Sequence, residues 1–97
     1  MGDLNNCILS GTVTSITNTE NYTDFELEVI RFEHDAEGIL IEVITKVPCR
    51  ILGTLRKTFN KFTEPGNRVR IVGRLAGVDK IVFVCEHIEW YFGKKKK

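Results

Sequence analysis

The hydrophobic pattern of this chain changes period twice, and that change limits the folds open to it. Residues 7–16 alternate, with Cys7, Leu9, Gly11 and Val13 on one side and Ile8, Ser10, Thr12 and Thr14 on the other. Gly11 is read as the site of a sharp bend. Phe25, Leu27 and Val29 alternate with Glu26, Glu28 and Ile30 in a second strand, and residues 39–47 make a third. After Pro48, a residue suited to the first turn of a helix, apolar residues fall at Ile51, Leu52, Leu55, Phe59 and Phe62. That spacing is helical, with Arg50, Arg56, Lys57 and Lys61 forming much of the opposite, solvated face. Pro65 and Gly66 end the segment. Alternation returns in residues 66–75 and again from Lys80 to about Tyr91.

The predicted order is strand, strand, strand, helix, strand, strand. Polar segments at residues 17–24, 34–38 and 77–79 supply the turns. A two-layer sandwich needs more strands, and a ferredoxin-like fold needs a helix after the first strand. The order fits an all-β chain with one helix, the five-stranded OB barrel whose helix, between strands three and four, plugs one end.

Ninety-seven residues make one domain, expected over residues 1–92 with a basic tail at 93–97. The net charge of +1 conceals an imbalance. Without Lys94, Lys95, Lys96 and Lys97 there are 10 basic against 13 acidic residues, so the body carries −3. Nucleic-acid affinity must then come from asymmetric charge placement and the tail. Cys7, Cys49 and Cys85 are odd in number and lack paired spacing, which suits reduced thiols. The N-terminal MGDLNN lacks the apolar stretch of a signal peptide, and no apolar run is long enough to span a membrane. A cytoplasmic location and no membrane partner are expected.

The fourth-strand segment, GNRVRIVGRL at residues 66–75, is the most specific motif. Val69 and Ile71 point to one side and Arg68 and Arg70 to the other, a half-buried strand whose polar face suits an anionic ligand. It resembles, nearly residue for residue, the fourth strand of bacterial single-stranded DNA-binding proteins. NNCILSGTV at residues 5–13 resembles that family's opening strand, and Leu9 to Val13 is also similar to the primosomal replication protein of the restart system. Phe25-Glu26-Leu27 and residues 83–89 (FVCEHIE) resemble its second and closing strands. The resemblance implies an OB fold, single-stranded DNA as ligand, a homo-oligomer (dimer or tetramer), and replication or restart proteins as possible partners. The chain departs from the family in three ways. Residues 39–47 hold no aromatic, the hairpin between strands four and five is cut to residues 76–80, and four lysines stand where the family has an acidic tail.

Single-strand binders need cations along the backbone track and flat rings for bases. The candidates are Arg31 and Phe32, read as a stacking ring beside a guanidinium; Arg70 and Arg74 on or after the fourth strand; and Lys46, Lys80 and Trp90. Each has a structural alternative. Phe32 could pack on the barrel edge with Arg31 solvated, and the arginines could guard a strand face against aggregation. Trp90, Tyr91 and Phe92 could anchor the last strand or fill an interface. Cys85, His87 and Glu89, at alternate positions, are expected to share a face. They lack metal-binding spacing and any third catalytic group, so no metal, cofactor or enzymatic activity is expected. Two functions remain: an unspecific single-stranded DNA binder of replication, repair or restart, or an OB scaffold within such a complex with weak or lost DNA binding.

Overall fold

The computed structural model describes residues 2–91; Phe92 and the tail at 93–97 lie outside the described residues. The chain runs β1 (Cys7–Asn18), β2 (Thr23–His34), β3 (Leu40–Ile51), α1 (Leu55–Phe62), β4 (Arg68–Ala76) and β5 (Val82–Tyr91). The strands close into one barrel in the order β1-β2-β3-β5-β4, all pairs antiparallel except β3 with β5. Five strands in that order, with a helix between the third and fourth, form an OB barrel.

Alternation builds the interior. Val13, Phe25, Leu27, Cys49, Ile51, Val69, Ile71, Phe83, Cys85 and Ile88 turn inward and are buried. Phe59 of α1 closes one end, stacked on Phe25 with ring centroids 4.7 Å apart. The barrel closes tightly at two glycines. A Cβ on Gly11 would run into the carbonyl oxygen of Glu28, and one on Gly73 into that of Val84 and the ring of Phe83. Gly11 thus serves close approach of β1 and β2 more than a bend.

Two expectations are corrected. The third strand does not end before Pro48. It continues to Ile51, with Pro48 opposite Glu26 in an unbroken ladder. Ile51 and Arg50 therefore belong to β3, and the helix is one short element of 8 residues beginning at Leu55. Proline is tolerated because its missing N–H falls on the side of the strand that does not bond β2. Arg56, expected in solvent, is half-buried and donates to the carbonyls of Thr19 (2.7 Å) and Glu20 (3.2 Å) and to Thr23 Oγ1 (3.3 Å). With Asn60 Nδ2 donating to Asn18 Oδ1 at 3.0 Å, it fixes the β1–β2 loop to the helix.

The face predicted for Cys85, His87 and Glu89 is also broken. The β4–β5 ladder shifts register between Val72 and Gly73, leaving Glu86 as an extra residue in β5. Alternation slips there, so Cys85 points into the core while His87 and Glu89 stay exposed.

Gly73→Ala is expected to lower stability by about 1–3 kcal/mol, the usual cost of forcing a group into a packed interior. Urea unfolding monitored by circular dichroism checks it; an unchanged midpoint would show that β4 and β5 have room to separate.

Candidate nucleic-acid interface

The β2–β3 ladder sorts side chains onto two faces. Residues opposite one another share a side, and successive residues alternate. The outer face presents Asp24 beside Arg50, Glu26 beside Pro48, Glu28 beside Lys46, Ile30 beside Ile44, and Phe32 beside Glu42. Leu27, Val29 and Arg31 lie on the other side. Arg31 and Phe32 are thus on opposite faces of the hairpin, which corrects the expected pairing of ring and guanidinium. Both still border a cleft between the hairpin and the start of β1, lined also by Ile8, Ser10, Glu42 and Arg68. Phe32 is 63% exposed, and its ring is available at the surface.

At the other end of the same outer face lies a groove of about 700 Å³ between β3 and the β4–β5 loop. Asp24, Glu26, Pro48, Arg50, Lys80 and Ile81 line it. Arg50 is held there from two directions. Its Nε and Nη2 donate to the two carboxylate oxygens of Asp24 at 2.8 and 3.1 Å, and its guanidinium carbon lies 3.8 Å from the centre of the Tyr22 ring. A planar cation fixed in this way gives a flat, preorganised surface. Tyr22 is itself placed by the loop that Arg56 anchors, with its backbone N–H bonded to Thr19 Oγ1 at 3.1 Å. Sequence reasoning missed this pair. Arg50 was expected on the helix, although the alternation of Val47, Cys49 and Ile51 with Lys46, Pro48 and Arg50 runs straight through the proline.

The remaining candidates lie elsewhere. β4 sits between β5 and β1, across the barrel from β2 and β3. Arg70 there pairs with Glu89, and Arg74 with Glu86, each at 3.2 Å and both exposed. Such pairs are worth little to stability, but each offsets a cation. His87 and Arg70 together hold the Glu89 carboxyl below its usual range. Trp90 is half-buried; its Nε1 donates to Thr63 Oγ1 at 2.6 Å and its ring tilts against Phe62. This binds β5 to the end of α1. Lys46 and Lys80 are exposed and, with Arg31, have no ion pair among the described residues. No group of three potential metal ligands occurs among the described residues, and none of their helices is long and apolar enough to cross a membrane.

No known family profile matches the sequence, and no curated protein matches it. Solved structures do resemble the fold. The chain is similar to the SSB of Plasmodium falciparum in its complex with ssDNA, with 16% identity and a TM-score of 0.78 over 94% of this chain and 97% of that one. It is similar to the PriB protein of Ralstonia solanacearum, with 17% identity and a TM-score of 0.75 over 92% and 99%. It is also similar to a small single-stranded DNA-binding protein from Mycoplasma pneumoniae, with 19% identity and a TM-score of 0.73 over 98% and 99%. At these identities the likeness establishes a shared OB barrel.

Cys49 and Cys85 are buried and Cys7 is partly exposed. Burial pushes the Cys85 thiol up to about 12 and raises Cys49 further. In an unfolded chain both ionise near the ordinary 9.0, so the unfolded state loses protons first and stability falls as pH rises above that value. Native protein treated with an alkylating reagent at mildly alkaline pH should react at half-exposed Cys7 alone, with Cys49 and Cys85 reacting only after denaturation. Mass spectrometry of the digested protein checks it; rapid native labelling of Cys85 would show that the barrel opens readily.

Proposed function

We propose that this chain is a single-stranded DNA-binding module that holds the strand without sequence preference by base stacking and backbone contacts. The observation that carries the reading is the Arg50–Tyr22 stack, locked by Asp24, at the groove faced by Lys80. In OB barrels the β2–β3 face and the loops beside it are where oligonucleotides bind, and this groove occupies that place. A base laid on the Arg50–Tyr22 surface, a second on Phe32, and phosphates near Lys46 and Lys80 would follow one outer face. Arg31 would contribute from the edge of the hairpin. Arg70 and Arg74 would meet a strand that continues round the barrel, and Trp90 acts mainly by holding β5 to α1. The solved neighbours that bind ssDNA support the ligand class. The setting is replication, repair or restart, in a soluble, non-enzymatic, homo-oligomeric assembly.

The charge pattern makes this binding modest. Arg50, Arg70 and Arg74 each face a carboxylate, and the body carries −3. Stacking therefore supplies more of the affinity than phosphate neutralisation does. The second reading, an OB scaffold for replication or restart proteins, is favoured by the exposed apolar residues Ile30, Phe32, Leu40 and Ile44 on the hairpin.

Titration of labelled poly-dT across a salt series separates the two. The chain is expected to prefer single strands to duplex. Phe32→Ala and Arg50→Ala should each weaken binding by about 1–3 kcal/mol, the worth of a stacked base. Phe32→Ala should leave the salt slope almost unchanged, whereas deleting Lys94 to Lys97 should flatten it, because released counterions track phosphate contacts. No binding at low salt would dismiss the DNA reading in favour of the scaffold.

A further inference from the structure

The groove beside Arg50 holds a carboxylate that stacking leaves unused. Read across the sheet, the groove is lined by Asp24 and Glu26 of β2, then Arg50 and Pro48 of β3, then Lys80 and Ile81 of the β4–β5 loop. Asp24 is committed, because both its oxygens accept from Arg50. Glu26 is not. It is half-buried, its Oε1 accepts from Thr14 Oγ1 at 2.7 Å, and no cation pairs with it among the described residues. Thr14 is the extra residue where the β1–β2 ladder shifts register, and such bulges re-aim a side chain. The Glu26 carboxylate is thus held in place with acceptor capacity to spare. It repels phosphate, so it serves an anionic strand only by meeting a part of it that donates hydrogen bonds.

We propose that this groove reads one base of the bound strand and that Glu26 selects guanine there. The proposal rests on the single-strand reading above and adds one discriminating position to a strand otherwise held without preference. Tyr22 backs the Arg50 guanidinium, and it is Arg50 that lines the groove, so the face of the cation away from Tyr22 meets the base. Pro48 and Ile81 give apolar contact beside it. Lys80, at the loop end, takes the phosphate, which turns the far edge of the base toward β2. Glu26 lies directly opposite Pro48 on the neighbouring strand, one strand spacing of about 4.8 Å from the platform.

Guanine suits a carboxylate at that edge. Its Watson–Crick side carries N1–H and the N2 amino group next to each other, two donors that one carboxylate accepts together. Cytosine and adenine offer one amino group beside a ring nitrogen that is itself an acceptor. Thymine offers a single N3–H between two carbonyl oxygens, which meet the carboxylate with like polarity. Stacking tolerates all four bases, so the discrimination falls to Glu26. Only an unpaired base has this edge to give, which agrees with the expected preference for single strands over duplex.

Fluorescence competition with a short oligo-dT carrying one central substitution tests the assignment. One dG should tighten binding about tenfold over all-dT, the worth of one bidentate base contact. Deoxyinosine at that position keeps the ring and O6 but lacks the N2 amino group, and should lose most of the gain. An amide both donates and accepts, so Glu26→Gln serves thymine as well as guanine and should bring the dG and dT oligonucleotides within about twofold of each other. Glu28→Gln, outside the groove, should leave the dG preference as in the wild type. Circular dichroism establishes that each variant is folded. Free dGMP should not displace the strand at matching concentration. Oligo-dT binding with no gain from dG overturns the proposal and leaves the single-strand reading standing. No binding of any oligonucleotide overturns both. A dG preference that survives Glu26→Gln, or is matched by deoxyinosine, overturns the role of Glu26. Displacement by dGMP at matching concentration overturns the placement of the base within a strand and makes the groove a mononucleotide site.

Discussion

The barrel depends on the close approach of backbones at Gly11 and Gly73. At each position a neighbouring carbonyl, of Glu28 or Val84, occupies the space where a side chain would begin. These contacts lie on both flanks of β1 and β4, the strands that complete the ring. Because β1 turns from β4 to β2 at Thr12, it pairs with β2 only as far as Glu28. Beyond that row β2 and β3 continue together as a two-stranded arm that carries Phe32, Ile44 and Glu42. The arm, its exposed Phe32 ring and its open edge are thus consequences of where the barrel closes. A two-stranded ribbon is marginal alone, which is why an arm of this length calls for a ligand or a partner.

The same logic explains what was legible in the sequence. Strand faces were readable because burial imposes a period of two: Val13, Leu27, Val69 and Ile71 all turn inward as the alternation requires. The helix was readable as an element, through Leu55 and Phe59, but not in extent. Pro48 looked like a helix start, when it is a strand residue whose missing N–H costs the β2 ladder nothing. Period two runs on through Cys49 and Ile51, and weighing that pattern above the proline would have placed Arg50 on the outer face. The slip at Glu86 carried no local signal, since a bulge is set by how two strands twist past each other. The pairing of Arg70 with Glu89 and Arg74 with Glu86 likewise depends on that register. The platform of Tyr22 and Arg50 joins a loop to a strand 28 positions on in the chain, a contact that spacing alone does not disclose.

Charge placement follows from pairing more than from composition. Three of the cations that looked free in the sequence are matched: Arg50 by Asp24, Arg70 by Glu89, Arg74 by Glu86. Arg56 is spent on loop carbonyls. Lys46 and Lys80 are exposed on the outer face or the loop beside it. An anionic strand would meet few bare charges and several flat surfaces there, a balance that suits contact through bases. Matching Arg50 to Asp24 has a second effect. It fixes the plane of the guanidinium, so a stacking surface exists before any ligand arrives.

The central claim is that the β2–β3 outer face, with the β4–β5 loop, is where the strand lies. The most direct measurement is a nuclear magnetic resonance titration of isotope-labelled protein with a short oligo-dT, following backbone amides and the arginine Nε–H groups. The account predicts that the largest shifts cluster at Tyr22, Arg50, Lys80 and Phe32, with smaller ones at Arg70 and Arg74. Shifts confined to the β4–β5 face, with Tyr22 and the Arg50 Nε–H unmoved, would contradict it.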